Sequence, residues 1–332
     1  ETRWQMVQGD EEFEDRASGH GIMGLTDERV ALAAELTGYD PEVIRTERIE
    51  NIIGAAAVLA SEAEALGVEV GDIDAMAGVV AWYSRIEARE GQSAYVWEGV
   101  YETLRVGVSH ELGTLPATES APEFPKPATM AVAGDRGGVI WRPSPNSSAR
   151  PSGAGGDPAM IIIHTCEGSY SGCWSWLNNS GSGVSAHYVV NGDGSEISQL
   201  VSESRKAWHI GATYECSRND STDCWRDGSG TNNFTVGIEH AGYASQSAWD
   251  RGLLESSAAL VCAVAADHDI PIDRYHVVGH GQLQPYNRVD PGPNWPWTDY
   301  RARANELCSR GSSSGGSSSG GSSSGGSSSG GS

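Results

Sequence analysis

The stretch GHGQLQPYNRVDPGPNWPW, residues 279–297, places His280 and Asp290 ten residues apart. His280 ends one short apolar run, and His164 ends another, MIIIH. Such runs predict buried strands, so each histidine is expected where a strand meets a loop. Asp290 stands directly before Pro-Gly-Pro, a turn that fixes the backbone just after the carboxylate.

Two imidazoles and one carboxylate form a ligand set that suits Zn²⁺. Three protein ligands leave the fourth tetrahedral position open to water, which is the arrangement of a hydrolytic rather than a structural zinc site. A lone histidine at the end of a strand is more often a polar residue satisfied by its surroundings. The three residues together favour the metal site, so we predict zinc held by His164, His280 and Asp290.

Five segments carry a resemblance to a known family, in the order that the family has them. They are IIIHTCEG (161–168), VSAHYVVNGDGSEISQLV (184–201), AWHIG (207–211), FTVGIEHAGY (234–243) and VVGHGQLQPYNRVDPGPNWPW (277–297). Over about 138–308 the chain resembles the zinc-dependent N-acetylmuramoyl-L-alanine amidases, the type 2 group related to peptidoglycan-recognition proteins. The resemblance implies an α/β domain with a central mixed sheet flanked by helices. It also implies hydrolysis of the amide between N-acetylmuramic acid and L-alanine of peptidoglycan by zinc-activated water.

Two further residues acquire catalytic roles from the resemblance. Glu239 ends the apolar run FTVGI and occupies the position of the family's general base in a "GIE" motif. Its alternative is a solvated carboxylate at the end of a strand. Arg288 stands where many relatives carry a lysine proposed to steady the oxyanion. Arginine keeps the positive charge, but its planar fork differs from an ammonium group.

Four other histidines are weighed separately. Relatives place the positions of His187 and His209 near the cleft, which implies contact with substrate; for His187 a packing or supporting role is an equal alternative. His240 and His276 neighbour the predicted site along the chain. On a strand, adjacent side chains point to opposite faces, so these two are poor ligand candidates.

The six cysteines all lie in the second half of the chain, and an even number predicts disulfides and an oxidising compartment. The resemblance pairs Cys166 with Cys173, because relatives bridge a short loop after the first ligand histidine. Proximity then pairs Cys216 with Cys224 and leaves Cys262 for Cys308. Metal binding by Cys166 is the rival interpretation, although Asp290 already fills the place of a third ligand.

Composition limits the partners. The net charge is −22, and Lys126 and Lys206 are the only lysines, so nucleic acid and anionic membranes are not expected as partners. The sequence contains no run of 18 apolar residues, so no membrane span is predicted. No signal peptide is recognisable, but the chain does not begin with methionine, so this says little. The cysteines favour a secreted or periplasmic protein.

The chain divides into four predicted parts. Residues 1–112 are acidic and helix-like, with amphipathic helices expected over 51–66, 73–86 and 94–106; in the first, Ile52, Ile53, Ala56, Leu59 and Ala63 form the apolar stripe. The Pro/Ala-rich segment 113–137 reads as an extended linker. The amidase-like region follows at 138–308, with its clearest helix at about 248–268. Residues 309–332 contain four SSSGG repeats and predict a flexible tail.

The first part also carries a family resemblance. ETRW at 1–4, SGHGIMGLTD at 18–27, ENIIGAAAVLA at 50–60 and AGVVAWYS at 77–84 follow the layout of lysozyme-like lytic transglycosylases. Glu1 falls on that family's catalytic acid. Gly24 replaces the family's glutamine, and Tyr83-Ser84 replaces Tyr-Asn. We therefore interpret residues 1–112 as an all-α, lysozyme-like wall-binding or degenerate module in preference to an active glycosidase.

Two other functions compete with amide hydrolysis alone. One is a non-catalytic peptidoglycan-binding protein, but such relatives typically lose a metal ligand, and here all three are present. The other is a bifunctional enzyme that also cleaves the glycan strand, with Glu1 as its acid.

Overall fold

A computed structural model describes residues 19–86, 89–110, 113–126 and 134–314. Within these ranges the strands are β1 (Val108–His110), β2 (Gly113–Leu115), β3 (Ile140–Trp141), β4 (Ser147–Ala149), β5 (Met160–Thr165), β6 (Tyr188–Val190), β7 (Ile197–Gln199), β8 (Arg205–Ala207), β9 (Thr235–His240) and β10 (Val277–Gly279). The α-helices are α1 (Asp27–Thr37), α2 (Pro41–Thr46), α3 (Arg48–Leu66), α4 (Ala77–Tyr83), α5 (Arg89–Ala94), α6 (Glu102–Val106), α7 (Tyr170–Asn178), α8 (Arg251–Asp267), α9 (His280–Leu283) and α10 (Trp297–Ser314). A π-helical segment, Tyr95–Tyr101, joins α5 to α6.

A six-stranded mixed sheet forms the centre of the second half, in the order β10-β5-β9-β6-β7-β3. The strands from β10 to β6 are parallel, β7 runs antiparallel to β6, and β3 is parallel to β7. Helices pack on both faces, which confirms the predicted α/β architecture of this half. Two small antiparallel sheets, β1–β2 and β4–β8, lie outside it.

The two faces of β5 and β9 lead to different environments. On one face Ile161 and Ile163 pack with residues of α8 and α10 in the largest apolar cluster. On the other face lie Met160, Ile162 and then the polar His164. Strands buried on both faces read as continuous apolar runs, which is why MIIIH shows no alternation.

The long helix predicted at 248–268 is α8, which spans Arg251–Asp267. Asp250 caps it, accepting hydrogen bonds from the backbone N–H groups of Gly252 and Leu253. A disulfide between Cys262 and Cys308 ties α8 to α10. The cap and the crosslink together hold the helical layer against the sheet.

The described part of the first region, 19–110, is helical apart from β1. Its core contains Leu25, Val30, Ile44 and Val58. The predicted stripe on α3 is wrong in part, because Ile52 and Ile53 are 38% and 41% exposed. The buried face instead contains Asn51, Gly54, Ala55, Val58 and Ala63.

Asn51 explains this rotation of α3. Its amide nitrogen donates to the carbonyls of His20 and Ile44, and its oxygen accepts from the N–H of Met23. A buried amide with three backbone partners must face inward. The neighbouring isoleucines, Ile52 and Ile53, therefore turn outward.

The helical region docks on the sheet domain through α5. Ala94 belongs to the same apolar cluster as Cys173 and Trp174 of α7. A Cβ at Gly91 would lie 2.6 Å from Cβ of Ser175, so only glycine allows the two helices to approach this closely. The two parts of the chain therefore share an interface.

The predicted domain bounds shift at both ends of the sheet domain. Residues 113–126 of the predicted linker run back along the helices, where Phe124 O accepts from Trp97 Nε1 and Glu123 N donates to Asp74 O. Residue 135 already packs against Gln199. At the other end α10 continues to Ser314, into the predicted tail. Glu1, with the rest of ETRW, and 315–332 lie outside the described residues. No helix in the described ranges is long and apolar enough to cross a membrane.

Candidate metal centre

The three predicted ligands meet at one end of the central sheet. His164 is the fifth residue of β5, and His280 follows β10 directly as the first residue of α9. Because β5 and β10 are neighbouring parallel strands, their carboxyl ends lie side by side. Asp290 Oδ2 lies 3.1 Å from His164 Nδ1 and 3.4 Å from His280 Nδ1. All three residues are buried.

The segment carrying Asp290 is held against α9 by its backbone. Gly281 N donates to Asp290 O at 2.9 Å. A Cβ at Gly279 would lie 2.7 Å from Cδ of Pro291, so the chain passes close to the start of α9. The Pro-Gly turn after Asp290 therefore does what the sequence predicts, which is to fix the backbone beside the carboxylate.

A chain of hydrogen bonds fixes the tautomer of His164. Thr235 Oγ1 donates to Thr231 O at 3.0 Å and so has only its oxygen to offer His209 Nε2, which lies 3.0 Å away. His209 Nε2 must carry the proton, and Nδ1 of the neutral ring is then an acceptor. His164 Nε2 donates to it at 2.9 Å. The lone pair of His164 is consequently on Nδ1, which faces Asp290.

The tautomer of His280 is fixed in the same way, by one hydrogen-bond partner. Its Nε2 lies 3.1 Å from Gln284 Oε1, which can only accept, so Nε2 carries the proton. The amide of Gln284 is itself oriented, because its nitrogen donates to Asn287 Oδ1 at 2.8 Å. The lone pair of His280 is therefore also on Nδ1 and faces Asp290 Oδ2.

Two imidazole lone pairs and a carboxylate oxygen thus converge with no proton between them. Three electron-pair donors at this separation repel one another unless a cation lies among them, and histidine–histidine–aspartate is a ligand set for zinc. Among the described residues, none donates a hydrogen bond to the second oxygen, Asp290 Oδ1. The residues fit a metal ion, because each ligand histidine has its other nitrogen tied to an oriented partner.

The protonation of the ligands agrees with this arrangement. Burial lowers the pKa of His164 to about 4, so its ring is neutral near neutral pH. Burial, with the neighbouring histidines, also lowers the pKa of His209 well below its usual value. For Asp290, burial raises the pKa, but the contacts with His280 and His164 outweigh it and the pKa is lowered. These shifts favour neutral rings for His164 and His209 and an ionised carboxylate for Asp290.

Glu239 lies next to His164 on the same face of the sheet. The two residues are register partners in the β5–β9 ladder, and Glu239 is 1% exposed. One of its carboxylate oxygens lies within 4.8 Å of the sulfurs of Cys166 and Cys173. Those sulfurs form a disulfide, so neither cysteine is available to a metal and the rival ligand interpretation of Cys166 is wrong.

The remaining predicted disulfides are also formed. Cys216 is bonded to Cys224, and Cys262 to Cys308, so all six cysteines pair as expected.

Arg288 lies close enough to the centre to influence it electrostatically. Its positive charge is one of the contributions that lower the pKa of His164, after burial and His280. One guanidinium nitrogen donates to Asn287 O at 2.9 Å. Its side chain is half-buried, so the cation is within range of the site while remaining accessible from outside.

The two histidines predicted to contact substrate lie behind the ligands. His187 is completely buried; its Nδ1 accepts from Gly237 N, and its Nε2 faces Arg205 O at 3.1 Å. His209 is 8% exposed, and both of its ring nitrogens are taken up by Thr235 and His164. Contact with substrate stays a prediction for both. The geometry matches the supporting role weighed for His187.

His240 points away from the centre, as the strand argument predicts, whereas His276 lies in a turn before β10, where that argument does not apply. His240 bonds to Ser257 Oγ on α8 and packs against Trp295 on the opposite face of the sheet. His276 bonds to Asp273 at 2.8 Å.

Comparisons with known proteins cover the same half of the chain. The family model described as N-acetylmuramoyl-L-alanine amidase matches residues 154–293. N-acetylmuramoyl-L-alanine amidase A of Achromobacter lyticus is 33% identical over 184 residues, which span 50% of this chain and 93% of the relative. The chain belongs to the N-acetylmuramoyl-L-alanine amidase family.

Other amidases are more distant. The 1,6-anhydro-N-acetylmuramyl-L-alanine amidase AmpD of Citrobacter freundii is 26% identical over 178 residues, covering 48% of this chain and 87% of that protein. A crystal structure of a selenomethionine derivative of AmpD is 24% identical, covers 51% of this chain and 95% of its own, and superposes with a TM-score of 0.40.

Several residues that orient the ligands of this amidase were missed in the sequence. Thr235, Gly237 and Glu239 share one face of β9. The strand period of two that puts Glu239 on the face of the predicted site therefore puts Thr235 there as well. Gly237 is needed because a Cβ there would lie 2.5 Å from Cγ of His209. Gln284 stands four residues after His280, the spacing at which helical side chains meet.

Proposed function

We propose that this amidase hydrolyses the amide between N-acetylmuramic acid and L-alanine in peptidoglycan, with zinc held by His164, His280 and Asp290. The observation that carries the proposal is the convergence of two imidazole lone pairs and Asp290 Oδ2 beside Glu239. Three protein ligands leave room for water and substrate, as in hydrolytic zinc sites. All three ligands are present, which favours an enzyme over a non-catalytic binding protein.

Zinc bound there would supply a Lewis acid for the scissile carbonyl and lower the pKa of a water molecule from ~16 toward ~7. The protein holds the ligands in place. Thr235 and His209 keep the lone pair of His164 directed at the site, and Gln284 does the same for His280. Partners of this kind orient a ligand ring and raise its basicity.

Glu239 is the proposed general base. Its carboxylate takes a proton from the attacking water and returns one to the leaving amine of L-alanine, so one residue serves both proton transfers. Arg288 is the proposed electrostatic partner of the oxyanion. Its cation contributes to the potential at His164 already in the free protein.

His209 is proposed as a positioning residue for His164. Both ring nitrogens are engaged, so the imidazole holds the ligand and offers no nitrogen to a substrate. His187 lies one step further from the centre and braces Gly237, on whose backbone the ring of His209 rests.

The protein is proposed to act outside the cytoplasm. Three disulfides persist only in an oxidising compartment, which supports secretion or a periplasmic location. The helical region, whose lysozyme-like character rests on the sequence resemblance, is proposed to assist binding to the cell wall. The possible acid of a glycosidase, Glu1, lies outside the described residues, so glycan cleavage remains the alternative.

Mass spectrometry of digested bacterial sacculi tests the proposal. We expect free N-acetylmuramic acid on the glycan together with peptides that begin at L-alanine. Intact sacculi after incubation with the zinc-loaded protein would support the binding protein instead. Anhydro-muramyl ends in addition to the peptides would support the bifunctional enzyme.

A further inference from the structure

A groove of about 860 Å³ lies between the helical region and the sheet domain. One wall is formed by the π-helical segment, by α6 and by Leu115. The other wall contains the loop at 168–171, the turn at 191–196 and the segment leading into α8. This volume falls in the range of about 300–1,000 Å³ typical of small-molecule sites. Neither half of the chain forms the groove alone.

The groove lies at the end of β9 that carries the proposed general base. Ala241 lines it and stands two residues after Glu239, a distance of about 7 Å along an extended chain. Asn191, also in the lining, follows Val189, the register partner of Glu239 on β6. Gly168 and Gly242 pair in a bridge at this edge. The groove and the metal centre therefore both lie at the carboxyl end of the parallel strands.

The part of the lining that the structure describes has four carboxylates and no cationic side chain. The carboxylates are those of Glu102, Asp193, Glu196 and Asp250, of which Glu102 pairs with Arg105 and Glu196 with Arg142. Among the described residues, the lining offers no cationic side chain to the carboxylates of stem peptides or to anionic wall polymers. N-acetylated sugar residues are neutral, and their hydroxyl groups donate to carboxylate oxygens.

The lining also provides aromatic surface. Tyr95, Tyr170 and Trp249 all border the groove. Trp249 is held by an edge contact with Trp295, with ring centroids 4.7 Å apart, and Tyr170 is held by hydrogen bonds to Glu196 and Ser198. Rigid aromatic rings offer large apolar contact area to the faces of sugar rings at low entropic cost.

We propose that this groove binds the sugar residues of the glycan strand that flank the N-acetylmuramic acid being deacylated. The inference rests on the proposed function, which sets that sugar at the metal centre. It makes the enzyme selective for polymeric glycan over a single sugar carrying a peptide. It also gives the acidic helical region a wall ligand that carries no charge.

Gly99 allows the groove to be filled without disturbing its walls. A Cβ at Gly99 would meet only Cδ2 of Tyr95, at 4.0 Å, so Gly99→Trp adds a ring in the groove. Gly78 on α4 is the matched control: a Cβ there meets nothing within 4 Å, and Gly78 does not line the groove. Thr103→Trp, four residues after Gly99, is a second filling variant in case the first fails to fold.

The rate measurement compares three substrates in the full-length zinc enzyme. These are a single muramyl sugar with its peptide, the same peptide on a longer uncross-linked glycan, and a cross-linked peptide dimer on single sugars. We expect Gly99→Trp to lower kcat/KM on the longer glycan by about tenfold or more, the size of effect that pocket contacts produce. The other two substrates and Gly78→Trp should stay near wild type. Equal loss on all substrates, loss confined to the cross-linked dimer, or no loss would each overturn the proposal.

Calorimetry with tetra-N-acetylchitotetraose, a neutral sugar oligomer, tests sugar binding in the groove without relying on catalysis. The wild type and Gly78→Trp should bind it, and Gly99→Trp should bind it more weakly. If the wild type hydrolyses none of the three substrates, the proposed function is wrong. The titration still shows whether the groove binds sugar. Absence of binding by the wild type would overturn the groove assignment even in an active enzyme.

Discussion

The two halves of the chain use buried polar side chains differently. In the helical region Asn51 is buried, and its partners are backbone groups of His20, Ile44 and Met23. In the sheet domain His164 is equally buried, but its partners are the side chains of Asp290 and His209. A buried polar residue that binds backbone ties loops together. A buried polar residue that contacts other ionisable side chains indicates a site where ions are bound or protons are transferred.

The sharpest test of this contrast removes a ligand. His280→Ala should leave no zinc bound by elemental analysis and reduce amidase activity to background, because two ligands rarely retain a catalytic metal. His276→Ala, four residues earlier and with its side chain bonded to Asp273, is the control and should keep both. Full activity of His280→Ala would remove this residue from the metal site.

Changing the base should separate catalysis from metal binding. Glu239→Gln keeps the size of the side chain, so zinc content and folding should match the wild type. Turnover should fall roughly 10²–10⁴-fold, the usual contribution of acid–base catalysis. A loss below about tenfold would assign proton transfer to another group.

Removing the support of His164 should have an intermediate effect. His209→Ala leaves the Nε2 proton of His164 without its acceptor, and zinc affinity should fall about 10–100-fold in a chelator titration. Gly237→Ala tests the same contact from the other side, because its Cβ would push against the His209 ring at 2.5 Å. Zinc affinity equal to the wild type in both variants would contradict the positioning role.

The smallest effect on catalysis is expected from Asn51→Ala. It removes the hydrogen bonds to the buried carbonyl of Ile44 and to the N–H of Met23, at about 1–3 kcal/mol for each group. Hydrogen exchange should become faster in 19–66, while zinc content and the rate on a single-sugar muropeptide remain unchanged. A loss of zinc would show that the helical region supports the metal centre.

Residues that carry chemistry at strand ends were predictable from the sequence. His164, Glu239 and His280 each follow an apolar run, and parallel strands bring such ends together. The disulfide pairs were also within reach, because two of them close loops of only 7 and 8 residues. Local pattern and family resemblance were enough for this part of the molecule.

Other features depend on contacts that no local pattern encodes. The tautomer of His164 is set through His209 and Thr235, which lie 45 and 71 positions away along the chain. On α3 the isoleucines give the stronger hydrophobic signal, yet three backbone partners supplied by distant loops turn Asn51 inward. The periodicity of a helix can be predicted from the sequence more easily than the face of the helix that will be buried in the fold.

The contact between Gly91 and Ser175 limits how such proteins can be assembled by recombination. A flexible tether permits almost any binding module to be exchanged for another, because the partners do not touch. Here a transplanted helical region would need a residue without a side chain opposite a small residue on α7. Relatives that exchange this region intact should therefore inherit the two positions as a pair, and chimeras that separate them should assemble poorly.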